Sequence, residues 1–264
     1  MSRNSLKNVC RLINEQKKQE PIEKQFVQDL KRSIELNDKK DSRQSSNYYK
    51  PSSLHCIRNM FYQRKGIKGD AESTATLIGI CESGTDRHLR IQEAVSRMKE
   101  NDMDCEYIDV AGYICYRDLQ DLDIIEQCGF ETKLFNKKLL MRFLCDGIIR
   151  YKGKYYILEI KTESTYKWTS RNGVADEHKN QATAYALNFW IDSVLFLYIN
   201  RDTCDMKAYM YTPTNEEKFK LKNMLIECED YVEKDVLPDK SLGISSKICS
   251  YCDYRELCQL DRKE

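Results

Sequence analysis

The sequence predicts an α/β fold, with a mixed central sheet flanked by helices and helical segments at both ends of the chain. Three observations predict it. Residues 141–162 read as two strands joined at Lys152-Gly153, two further strand-like runs lie at 193–200 and 207–212, and helical patterns precede, separate and follow them. A length of 264 residues suits one large domain or a core carrying helical additions.

Composition narrows the class. Hydrophobic residues at 41% and charged residues at 32% describe a soluble, helix-rich protein. No apolar run approaches the ~20 residues needed to cross a bilayer, and MSRNSLKNVCRLINEQKKQE has no signal-like apolar stretch. The expected location is cytoplasmic, with no membrane partner. Lys and Arg number 43 against 42 Asp and Glu, which excludes a globally basic nucleic-acid binder but not a local basic groove. Twelve cysteines without a secretory signal fit a reducing compartment, where they serve as core residues, metal ligands or nucleophiles.

In chain order, residues 1–40 look helical with an interruption at Pro21, and Phe26, Val27, Leu30, Ile34 and Leu36 form an amphipathic pattern. The Ser-rich segment 37–50 reads as a loop or linker. Residues 1–50 are therefore expected to be a helical extension and linker, and 51–264 the main domain. A helix is expected from an N-cap at Ser52 or Ser53 to a stop at Gly66. A longer one over 73–99 places Gly84 and His88 on one face. Residues 105–130 suit helix or strand, and helix is the expectation for Ile108–Ile114. Strands follow near 130–136, 139–150 and 155–162, with turns at Asn136-Lys137 and Lys152-Gly153. Residues 163–174 read as a mobile loop with an exposed Trp168. The helix over 175–190 carries His178, Gln181 and Tyr185 in one stripe. After the strands at 193–200 and 207–212, an amphipathic helix covers 215–234.

Two groups of residues carry chemistry. The apolar strands 141–162 contain Asp146, Glu159 and Lys161. Alternation puts Glu159 and Lys161 on the same side of their strand, and the hairpin brings Asp146 beside them. Burying such charges is costly unless they pair or hold a metal. A salt bridge on a half-exposed sheet uses the same three residues. The second group is Cys249-x2-Cys252-x5-Cys258 in the tail, three thiolates suited to zinc or an iron–sulfur cluster. Among upstream cysteines, Cys56 stands apart at the head of a helix between His55 and Arg58. The basic residues near the carboxylate strands, including Lys167 and Arg171, can neutralise phosphates or simply face solvent.

In order, Gly84-x3-His88, Asp146-Gly147, Glu159-x-Lys161 and Gln181-x3-Tyr185 resemble the RecB-type branch of the PD-(D/E)XK nucleases. SSLHCIRNMFYQRKG with Cys56, together with the three tail cysteines, resembles the four-cysteine clasp of its iron–sulfur members, which include AddB-type recombination nucleases and the exonuclease-like proteins of CRISPR adaptation and of phages. The likeness covers about residues 52–260. Cys145, Phe143 and Ile57 depart from common residues of the pattern, and none of these removes a reacting group.

The resemblance implies a PD-(D/E)XK nuclease core with a helical iron–sulfur cap. It implies metal-dependent cleavage of DNA, as an exonuclease on single-stranded or frayed ends in recombination, repair or CRISPR-like processing. Mg2+ or Mn2+ would be held by His88, Asp146, Glu159 and the Ile160 carbonyl. Lys161 would orient the attacking water, Gln181 and Tyr185 would contact the substrate or support the site, and His178, Lys167 and Arg171 are further substrate-binding candidates. Cys56, Cys249, Cys252 and Cys258 would hold a [4Fe–4S] cluster, zinc being the alternative. Protein partners of a recombination or CRISPR-adaptation complex are implied as well. Two other readings remain at this point: a catalytically quiet DNA-binding or adaptor subunit of such a complex, and a zinc-stapled interaction module.

Overall fold

The computed structural model describes residues 21–40, 47–69, 72–240 and 246–260. The expected helix of residues 1–20, and Cys10 within it, lie outside the described residues. Helix α1 (Ile22–Lys40) starts directly after Pro21, whose carbonyl accepts from the Lys24 and Gln25 amides. A short 3-10 turn (Pro51–Ser53) precedes α2 (Ile57–Arg64), and α3 spans Ala75–Ser96. Strand β1 (Cys105–Ile108) and α4 (Val110–Tyr116) lead into a meander of β2 (Leu122–Cys128), β3 (Glu131–Asn136) and β4 (Met141–Cys145). Then come β5 (Gly147–Tyr151), β6 (Lys154–Glu163), α5 (Thr165–Ser170), α6 (Asp176–Phe189), β7 (Val194–Asn200) and β8 (Met206–Tyr211). The chain closes with α7 (Asn215–Glu233), α8 (Lys247–Ser250) and α9 (Arg255–Leu260). Among the described residues, no helix is long and apolar enough to cross a membrane.

The backbone divides into two compact units: a small one of α1 with the first turns of α3, and a large one that holds both sheets and the remaining helices. The large unit contains a five-stranded sheet of order β1-β5-β6-β7-β8 and a three-stranded sheet of order β2-β3-β4. Only β6 and β7 run parallel, so the larger sheet is mixed and the smaller one antiparallel. The β6-to-β7 connection passes through α6, as a parallel crossover requires. The main core joins Ile157, Phe196 and Tyr198 of this sheet to Tyr185 and Phe189 of α6, Leu221 and Leu225 of α7, and Phe143 of β4. Leu158 and Ile160 point the other way, into a second cluster with Ile91 of α3 and Ile149 of β5.

Several local expectations are corrected. The expected single strand 139–150 is two strands in different sheets, broken at Asp146. Leu144 therefore belongs to the meander and not to the hairpin of Glu159. The helix expected over Ile108–Ile114 forms at Val110–Tyr116, with Asp109 as N-cap accepting from the Gly112 amide, but Ile108 itself lies in β1 and residues 122–128 are strand. Helix α2 starts at an N-cap Cys56, later than Ser52 or Ser53, because those serines are spent in the 3-10 turn. It does stop before Gly66, which adopts φ +65°. The segment after β6 is helical, not a loop, and Trp168 is half-buried, donating Nε1–H to the Tyr198 carbonyl at 3.4 Å beneath the Lys207 ammonium. At the end of the supposed linker, Tyr49 is a core residue whose backbone bridges to Met141. The Lys152-Gly153 turn forms as expected, both residues having positive φ.

Candidate functional site

Asp146 occupies the junction between the two sheets. Its backbone carbonyl lies 2.7 Å from both Gln92 Nε2 and the Tyr107 hydroxyl, and its Oδ2 accepts the Ile160 amide at 2.8 Å. Gly147 has a spatial reason to lack a side chain. A Cβ there would lie 2.7 Å from the Tyr107 ring. Gly84 in α3 faces β6, where a Cβ would make ordinary contact with Thr162 Oγ1 at 3.4 Å. One turn later, His88 Nδ1 reaches Asp146 Oδ1 at 3.5 Å and Glu131 Oε1 at 3.7 Å.

His88, Glu131 and Asp146 bring three donor atoms within 4.8 Å of one another, and no other His, Cys, Asp or Glu triplet among the described residues does so. Burial by itself would push the His88 imidazole down, but the Asp146 and Glu131 carboxylates outweigh it and raise it to about 9. As described, the imidazolium is the counter-ion of these carboxylates.

Glu159 lies alongside on β6, 2% exposed. Its Oε1 meets Lys161 Nζ at 2.5 Å and accepts from Gln181 Nε2 at 2.7 Å, while its buried Oε2 has no partner. Burial pushes this carboxyl up and Asp146 adds to the effect, with the Lys161 charge opposing both. Burial would depress Lys161, but the charges of Glu159 and Asp146 prevail and hold it as an ammonium. An unpaired, fully buried carboxylate oxygen is costly in a folded protein. The group within 4.8 Å, one imidazole and two carboxylates, suits Mn2+ or Mg2+, and the expected ligand Glu159 stands outside it.

The other expected residues fall into place around this group. Gln181 gives its amide N–H to Glu159 and to the Tyr185 hydroxyl at 2.9 Å, and accepts from Lys161 at 3.1 Å. The Tyr185 hydroxyl lies 3.2 Å from the Leu144 carbonyl, beside Asp146. Both are buried, so they brace Glu159 and Lys161 instead of contacting a substrate. Ile160 enters through its amide, donated to Asp146. His178 is stacked on Phe196 and Tyr198, with Nδ1 2.9 Å from the Tyr198 hydroxyl. Burial, with the nearby Lys161 and Arg171 charges, lowers it to about 3 and keeps it neutral. Arg171 is engaged bidentately by Glu163 at 2.5 and 3.0 Å and lies over the Tyr198 ring, which ties β6 to the loop before α6. Lys167 is exposed.

Sequence reasoning missed Glu131, Gln92 and Tyr107. Gln92 was within reach of the spacing argument, since it stands one further turn along the face of Gly84 and His88. Glu131 carried no local signal.

The four expected cysteines line one small recess of about 40 Å3, with Arg58, Asn59, Tyr62 and Lys240 among its walls. Cys56 caps α2, Cys249 lies in α8, Cys252 follows it and Cys258 lies in α9. Asn59 Nδ2 lies 3.3 Å from Cys252 Sγ. Burial and the neighbouring Cys56, Cys252 and Cys258 thiols push the Cys249 thiol up. No three of them gather within 4.8 Å. A tetrahedral zinc with Zn–S of ~2.3 Å would draw its sulfurs to about 3.8 Å apart.

Fold and site together define an α/β protein with a mixed central sheet, an antiparallel meander and a group of metal-capable side chains at their junction. No family model matches the chain, and no curated protein matches it. Among solved structures, one described as "Crystal structure of SSO0001" is similar over 88% of this chain and 96% of that chain, at 16% identity and a TM-score of 0.45.

Proposed function

We propose that this chain is a metal-dependent DNA nuclease with the PD-(D/E)XK type of core, acting on single-stranded or frayed ends in recombination, repair or CRISPR-like processing. The observation that carries the reading is the unpaired, buried Glu159 Oε2, with Lys161 held on the other oxygen of the same carboxylate and the charges of Asp146 and His88 acting on it. A salt bridge alone accounts for Glu159 Oε1 but leaves Oε2 unexplained.

His88, Asp146 and Glu159 would hold the cation. When bound, Mg2+ or Mn2+ supplies charge neutralisation at a phosphoryl oxygen and acidifies a water. The protein's own residues do the rest. Lys161 keeps its proton and is placed to orient a water and to balance charge that develops on the phosphate. Gln181 fixes that ammonium through Oε1 and fixes Glu159 through Nε2, so a single amide sets the spacing of the pair. Tyr185 anchors Gln181 to β4.

The four-cysteine recess is read as a structural [4Fe–4S] site. An amide donor at Cys252 is the kind of contact that tunes such clusters. Holding Cys56 with the tail cysteines would tie α2 to α8 and α9.

The test is digestion of end-labelled single- and double-stranded DNA with Mn2+, Mg2+ or EDTA, by wild type and by Lys161→Ala. Cleavage that needs the metal and is lost in a folded Lys161→Ala supports the reading. Equal cleavage by both proteins sinks it. Binding of DNA without cleavage would point instead to a quiet adaptor subunit.

A further inference from the structure

The chain leaves the five-stranded sheet for the meander through residues 109–121, between β1 and β2, and returns to it directly at Asp146, between β4 and β5. Glu131 is the first residue of β3, after a tight turn at Gly129 with φ +64°. Its carboxylate is turned back toward the junction, within 4.8 Å of the His88 and Asp146 donor atoms. Tyr107 of β1 holds this tip in place. Its ring packs edge-on against Phe130 at 5.6 Å, and its hydroxyl lies 2.9 Å from the Phe130 carbonyl and 2.7 Å from that of Asp146. A hydroxyl has one proton for these two carbonyls. Tyr107 therefore makes only one full bond between the turn and the junction at a time.

We propose that Glu131 is a direct ligand of the divalent cation, and that cation binding fastens the meander to the main sheet. The inference rests on the reading of His88, Asp146 and Glu159 as a cation site. The second, independent sign of a ligand is the 2%-exposed Glu159, whose buried Oε2 lacks a partner. The four side chains come from α3, β3, the β4–β5 junction and β6. An ion bound among them links elements of both sheets. Without it, the contact of the β2–β3 tip with the junction rests on Tyr107 and on His88 spanning two carboxylates at 3.5 and 3.7 Å. Glu131 also bears on metal choice. A fourth charged or imidazole donor leaves fewer places for water, which favours Mn2+ over the more strongly hydrated Mg2+.

The experiment is a Mn2+ titration of metal-stripped protein, with free Mn2+ read by electron paramagnetic resonance. It compares wild type, Glu131→Gln, Glu131→Asp and a control, Glu126→Gln, whose carboxylate pairs with Lys133 on the meander surface. Amide exchange across 122–145 is followed with and without Mn2+, and melting curves establish that each variant is folded. Loss of a direct ligand should weaken Mn2+ binding by at least about tenfold, since even outer partners cost that much. Glu131→Asp should fall between, and Glu126→Gln should match wild type. Mn2+ should slow exchange in the meander of wild type and not of Glu131→Gln. Wild-type affinity and wild-type protection in folded Glu131→Gln would overturn the assignment while leaving the cation site standing. No Mn2+ binding by wild type would overturn the cation site and this inference with it.

Discussion

Replacing Gly147 by alanine tests the geometry on which the whole junction depends. Carbon atoms pack at about 3.5–4.0 Å. The added methyl would lie 2.7 Å from Tyr107 Cε2 and from its hydroxyl, and 2.9 Å from Cζ. A rigid ring has no flexible end with which to yield. Its hydroxyl is held by the Asp146 and Phe130 carbonyls and its face by Phe130. Overpacking of this kind costs about 1–3 kcal/mol, and the lower chain entropy of alanine in the unfolded state returns about 0.4–1 kcal/mol. The expected net loss is up to about 2.6 kcal/mol. Urea denaturation should show it as a lower midpoint at unchanged slope. A double-mutant cycle isolates the cause, because in a Tyr107→Leu background the ring is gone and Gly147→Ala should cost little. An equal loss in both backgrounds would refute the steric account.

Two further outcomes follow from other parts of the fold. Glu229 accepts from Tyr49 at 2.5 Å and from Arg64 at 2.6 and 2.9 Å; burial works against its ionisation, but these two partners win and hold its carboxyl below the usual range. A depressed pKa adds stability that is complete above the ordinary carboxyl value and vanishes as the pH falls through the lower, folded one. The stability advantage of wild type over Glu229→Gln, measured by denaturation, should therefore be flat near neutrality and shrink in acid below about pH 4; an advantage independent of pH would exclude ionisation as its source. In the recess, Cys56→Ser should lower the iron and sulfide content of anaerobically purified protein and its melting temperature, whereas Cys81→Ser should not. Equal iron in wild type and Cys56→Ser would show that Cys56 is no ligand, and stoichiometric zinc without iron would retire the cluster but keep the clasp.

What was legible in the sequence followed from local rules. Alternation along β6 put Glu159 and Lys161 together, helical spacing joined Gln181 to Tyr185, and a two-residue turn at Lys152-Gly153 set the β5–β6 register. The recess cysteines were legible because three are close in sequence. Misreadings arose where tertiary contact overrides pattern. Residues 139–150 look like one strand because apolar residues continue through Cys145, and nothing local reveals that Tyr107 stands beside Gly147 and that the chain changes sheets there. Trp168 sat in a polar stretch and reads as exposed, yet Lys207, some forty positions away, covers its ring. Glu131 joins the site only because the meander folds its first turn back on Asp146, a placement that no spacing encodes.

The break at Asp146 also determines how its carboxylate is aimed. With Gly147 opposite Leu158 in the antiparallel β5–β6 pair, a strand continuing straight back would place Cys145 opposite Ile160. The chain turns into the meander instead, and the Ile160 amide on that side is taken by Asp146 Oδ2 at 2.8 Å. Oδ1 is thereby left toward His88. Asparagine in this position keeps an oxygen for the Ile160 amide but loses the charge. Alanine leaves the buried amide with no acceptor, at a cost of about 1–3 kcal/mol. Asp146→Asn and Asp146→Ala should thus lose metal binding alike and differ in stability, with the asparagine variant the more stable by roughly that amount. Chemical denaturation of the two metal-free variants measures the difference. If alanine proves as stable as asparagine, the Ile160 amide has another acceptor, and the sheet break does not orient the carboxylate.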